Sequence, residues 1–144
     1  MKKLAILIAF FVGVLGYAQD SKHEKIKALK TAHITSELEL STAEAEKFWP
    51  IYHEYDKNDW NLRKSMKEAY GDMKDKAQNL SDAEANRYIE DALKYQRQKL
   101  ELRQKLIKDL RGVIAPQKIL KLRKAEEDFK RMLLKRYRDR KDKK

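Results

Sequence analysis

At 144 residues the chain has the length of one domain. Lysine and arginine outnumber aspartate and glutamate by 34 to 23 and cysteine is absent, which excludes a disulfide framework, thiol redox chemistry and thiolate metal ligands. Charged residues make up 40% of the chain, and no stretch alternates apolar and polar residues for long, so the composition favours long helices over sheet.

Residues 1–18 differ from the rest. Lys2 and Lys3 precede an apolar run from Leu4 to Leu15, and Gly16 and Ala18 stand at the −3 and −1 positions of a signal-peptidase site. This is the pattern of a secretory signal peptide cut after Ala18, and the run is shorter than the roughly twenty residues that a membrane-spanning helix needs. No cysteine follows it, so lipid attachment at the cut is excluded. The expected location is periplasmic, after export across the inner membrane. Losing Lys2 and Lys3 leaves 32 basic and 23 acidic residues, net +9. Outside the cytoplasm such a charge meets membrane surfaces, lipopolysaccharide and acidic protein segments, not nucleic acid.

Residues 19–134 read as one all-helical domain. A first helix is expected over 21–37, with Ile26, Leu29 and His33 or Ile34 on one face. A second begins at Leu40-Ser41-Thr42-Ala43-Glu44. Ser41 is a favoured N-cap, and Glu44 three residues on completes a capping box, with Leu40 placed for a hydrophobic staple. Ala45, Phe48, Tyr52, Tyr55, Asp59, Leu62, Met66, Ala69 and Met73 follow at steps of three and four, a packed stripe broken only by Asp59. Pro50 predicts a kink near Phe48-Trp49-Pro50.

The third helix opens with nearly the same letters, Leu80-Ser81-Asp82-Ala83-Glu84, and the same capping logic. Its predicted stripe is Ala85, Ile89, Ala92, Leu93, Leu100, Ile107, Leu110 and Ile114, interrupted by Gln96 and Arg103. The fourth starts at Pro116, a favoured first helical position, and Ile119, Leu122, Phe129 and Leu133 mark its face. Residues 135–144 are almost wholly polar and are expected to form a basic, disordered tail.

Two Leu-Ser-x-x-Glu helix starts in a small exported chain resemble the paired LTxxQ motifs of the Spy/CpxP-like periplasmic family, with Glu44 and Glu84 in place of the glutamine. The segment Glu46-Lys47-Phe48-Trp49-Pro50-Ile51-Tyr52, followed by Glu54-Tyr55, is similar to a subgroup often labelled sensor of an ECF-type sigma factor. Ile114-Ala115-Pro116-Gln117 looks like a third, degenerate helix start. The resemblance covers most of residues 22–137. It implies an all-α fold, a four-helix, elongated, hairpin-like bundle that pairs as an antiparallel, cradle-like homodimer. It also implies an ATP-independent chaperone or envelope-stress adaptor. Other branches of the family regulate ECF sigma/anti-sigma systems or sense zinc, nickel or cobalt.

The residues themselves offer little chemistry. His23, His33 and His53 form no i, i+4 pair, and there is no glycine-rich phosphate loop and no nucleophile elbow. Ser41 and Ser81 are accounted for as caps. No catalytic residue, metal ligand or cofactor is therefore expected. What remains is binding. Trp49 and Trp60 lie off the stripe of the second helix, and Arg87, Lys94, Arg97 and Arg103 crowd the third. These six are the candidate interaction surface. A basic, partly apolar helical face suits weak, promiscuous contact with unfolded or envelope proteins, or with a regulatory membrane protein.

Overall fold

A computed structural model describes residues 21–71 and 73–143. The leader expected over 1–18, with its cut after Ala18, lies outside the described residues. The described chain is all-α. Helix α1 occupies 21–38, α2 Thr42–Tyr70, the single turn α3 Met73–Lys76, α4 Asp82–Leu110 and α5 Pro116–Lys141, with a 3-10 turn at Ala77–Asn79. Four of these helices are long, and no strand occurs among the described residues. Two compact units divide the chain. One runs up to Leu40 and resumes at Leu120, and the other is Ser41–Ile119.

In the first unit, α1 stops because Glu39 turns left-handed, with φ 49°. The Glu39 N–H then donates to Ser36 O at 3.1 Å and the Leu40 N–H to Thr35 O at 3.2 Å. That pair of bonds satisfies carbonyls the helix would otherwise leave open. Ile34 and Leu38 of α1 and Leu122, Ala125 and Phe129 of α5 are buried, and the His33 ring stands 5.7 Å from that of Phe129.

The tail expected to be disordered is instead helical as far as Lys141. Nothing buries residues 135–141, so the reasons are local. Lysine and arginine are good helix formers, and Arg138, Arg140 and Lys141 place cations in the last turn, where the helix dipole favours them. Asp128 anchors the preceding turns, with Lys124 Nζ at 2.6 Å and an ion pair to Arg131.

In the second unit both capping boxes form. Glu44 N donates to Ser41 Oγ at 3.1 Å and Ser41 N to Glu44 Oε1 at 3.1 Å. The matching bonds at Ser81 and Glu84 are 3.2 and 3.3 Å. Leu40 and Leu80 are half-buried ahead of them. The two boxes differ in one respect. Glu44 Oε1 also accepts from Lys118 Nζ at 2.8 Å, across 74 residues of sequence, so the first box ties the start of α5 to the start of α2.

That bond, followed by the Ser41 backbone N–H, holds the Glu44 carboxyl below its ordinary value. A carboxylate with a depressed folded pKa adds stability that is present above its unfolded pKa, about 4.3. The stability is lost as pH falls through the folded value. Glu44→Gln keeps an acceptor for the Ser41 N–H and removes the charge. Its expected result is unchanged helix content at neutral pH, with lower stability and a shallower loss of stability between neutral pH and pH 3. Urea unfolding followed by circular dichroism along a pH series measures this; parallel curves for parent and variant would dismiss the Lys118 link.

Helix α2 runs on through Pro50, where the missing N–H deletes one internal bond. Phe48, Tyr52 and, unexpectedly, Asp59 are its buried residues. Asp59 Oδ2 meets Arg63 Nε at 3.0 Å, while its Oδ1 has no hydrogen-bond partner among the described residues. The helix stops at Tyr70, so Met73 begins the next turn instead of extending the stripe. Tyr55 meets Arg103 and Tyr70 meets Tyr88. Positions rising along α2 thus fall along α4, and the two helices are antiparallel. Helix α4 ends at Leu110, and Gly112 takes φ 84° in the turn that follows. Ile114, predicted on the helix stripe, is buried from that connector instead.

Candidate interaction surface

The face that α4 turns to α2 is the predicted one only in part: Ala92 and Leu110 of the expected stripe lie on it. Leu106 and Leu110 are buried, and Tyr88, Asp91, Ala92, Tyr95 and Leu102 are half-buried above them. The Tyr70 and Tyr88 rings meet edge-on at 5.3 Å. Lys105 bridges the helices lower down, 2.6 Å from Asp109 and 4.0 Å from Glu54. A shallow groove of about 230 Å³ opens between the helices, walled by Leu62, Met66, Tyr70 and Tyr95 and rimmed by Asp91 and Lys94. Burial, and then a hydrogen bond with the Asp91 carboxylate, pushes the Tyr70 phenol up.

Three of the residues predicted as core therefore face solvent. Ile89 is 56% exposed, Leu93 43% and Leu100 57%. With the exposed Gln96 they keep the 4-3-4 spacing of one helix stripe, so they form a single ladder along α4. Arg97 is four residues after Leu93 and three before Leu100, which places its cation on the same edge. The ladder joins apolar area to positive charge on a rigid helix.

The six residues singled out from sequence do not gather into one patch. Trp49 is half-buried and held by aromatic neighbours, edge-on to Phe48 at 4.9 Å and to Tyr52 at 5.6 Å, with the His53 ring at 5.2 Å. It serves packing. Trp60 is exposed, with Lys64 Nζ 5.4 Å above its ring. It lies about 140° around α2 from Tyr55, so it turns away from α4. Arg103 is half-buried, its guanidinium 5.7 Å above the Tyr55 ring, where it braces the hairpin through a cation–π contact. Arg87, Lys94 and Arg97 are exposed, and of these Arg97 adjoins the ladder. A sequence signal for the true face did exist: Tyr88, Tyr95 and Leu102 recur at intervals of seven.

Among the described residues no three His, Asp or Glu side chains converge in a way that could hold a metal ion, and no helix is long and apolar enough to cross a membrane. The class that the fold defines is an all-α helical protein with an antiparallel α2–α4 hairpin in its second unit. Compared with known proteins, the chain matches no family model, no curated sequence and no solved structure.

Proposed function

We propose that this chain is an exported binding protein, an ATP-independent chaperone or envelope-stress adaptor of the Spy/CpxP-like kind, that takes up unfolded or partner proteins on α4. The observation that carries the reading is the ladder of Ile89, Leu93 and Leu100 beside Arg97. Apolar segments of an unfolded chain bury the ladder, and acidic segments are drawn in by Arg87, Lys94 and Arg97. Shallow, mixed contact of this sort favours many weak partners over one tight one. The periplasmic setting rests on the leader pattern at 1–18. The test is aggregation of a denatured client with this chain added at near-equal ratio. Suppression that fades as salt rises is expected; no suppression at any ratio ends the chaperone reading. A cross-linked pull-down from the envelope separates the two roles, since many unrelated proteins mark a chaperone and one dominant regulatory membrane protein or anti-sigma factor marks an adaptor.

A second reading of the ladder is favoured by the charge pattern of α4. Residues 82–93 hold four acidic and one basic residue, and 94–110 hold six basic and two acidic. Two copies of α4 laid antiparallel bring opposite halves together and bury Ile89 against Leu100 of the partner. A homodimer of this kind is the sort of pairing that the resemblance implies. Its mass by light scattering is the check.

A further inference from the structure

The last three turns of α5 carry a second surface that the proposed client ladder does not use. Leu134 is 53% exposed and Tyr137 62%. Lys130, Arg131, Arg138 and Lys141 stand at i−4, i−3, i+4 and i+7 from Leu134, and all four are exposed. Residues at these intervals share one face of a helix. The buried residues Leu122, Ala125 and Phe129 lie about 120–180° around the axis from Leu134, so this face turns away from the core. Its geometry is a convex strip about 16 Å long, with two apolar side chains ringed by cations.

We infer that this face docks α5 flat on an anionic lipid surface. Several features favour lipid over an acidic protein. The strip is convex and continuous, and it fits a plane better than a groove. Tyrosine suits the headgroup level, with its ring in the apolar boundary and its hydroxyl in water. Lysine and arginine stems can lie along the apolar boundary while their charges stay among the phosphates. The charge is also strongly of one sign: residues 130–144 hold nine basic and two acidic residues, and 130–141 lie in an already formed helix that needs no folding on contact. A basic helical face with exposed leucine and tyrosine is the pattern that lies in a membrane interface.

The test uses the full chain and vesicles of phosphatidylcholine with or without an anionic phosphatidylglycerol fraction, with binding read by co-sedimentation. The leader is the same in every variant, so a difference between variants does not come from it. Each basic residue near an anionic surface is worth roughly fivefold in binding, so Arg138→Gln with Lys141→Gln is expected to weaken anionic-vesicle binding roughly 25-fold. Leu134→Ser is expected to weaken it severalfold, and Lys94→Gln with Arg97→Gln on α4 to leave it within about twofold. Binding should fade as salt shortens the screening length from about 10 Å at 0.1 M to about 3 Å at 1 M. Circular dichroism confirms that the variants keep α5 helical. Equal losses for the α4 and α5 pairs would overturn the inference, as would polyglutamate binding that matches vesicle binding and ignores Leu134→Ser. Either outcome would assign the charge to acidic protein or to no particular surface.

Discussion

Replacing Ile89, Leu93 and Leu100 together by glutamine is expected to abolish suppression of client aggregation while leaving the fold in place. Each of these side chains is about half in water already, so the folded chain gains little from them. Glutamine has a helix propensity close to that of leucine, so α4 should persist. A bound client would bury the exposed remainder, about 1 kcal/mol for each side chain. Three together come to about 3 kcal/mol, a roughly hundredfold loss of affinity. Aggregation light scattering and thermal unfolding, run on the same preparations, give both numbers. If suppression survives while the mass drops from two chains to one, the ladder joins copies and clients bind elsewhere. If neither changes, the ladder has no role in binding.

Phe48→Ala is expected to produce the opposite pattern, a large loss of stability at a position closed to solvent. The ring is fully buried, stacked on Tyr52 at 5.5 Å with 10° between planes, and met edge-on by Trp49 at 4.9 Å. Deleting a ring from such a site costs about 3–5 kcal/mol, because the surroundings close only partly over the cavity. Domains have about 5–15 kcal/mol in total, so the variant should unfold at much lower urea. Trp49 reports the same event through its fluorescence, since its packing depends on the lost ring. A loss below about 1 kcal/mol would mean that the Phe48-Tyr52-Trp49 cluster carries little of the core.

The helix starts were legible because a capping box is a local device. Ser41 with Glu44 and Ser81 with Glu84 need only the right residue three positions along, and both boxes form as the letters imply. Part of the α2 stripe was legible too: Phe48 and Tyr52 are core as their spacing predicts. Asp59, read as an interruption, is buried because Arg63 one turn on reaches its carboxylate, a pairing that stripe counting ignores. The candidate interaction surface was legible least. The sequence places Trp49 off the α2 stripe, and an aromatic cluster covers part of it; it places Arg103 among the cations of α4, and Arg103 rests on Tyr55. Aromatic and long basic side chains look alike in sequence whether they meet a neighbour or solvent.

By itself the sequence determined that this chain is helical, where α2 and α4 begin, and that no cysteine chemistry is open to it. These follow from composition and from interactions spanning a few residues. Only the tertiary structure decided which side of α4 is inside. That helix carries two adjoining apolar edges, Tyr88-Tyr95-Leu102-Leu106 and Ile89-Leu93-Leu100, and periodicity weights both alike. Burial goes to the edge that another helix covers, and here α2 covers the first. The second is left in water, and it is there that the proposed function resides.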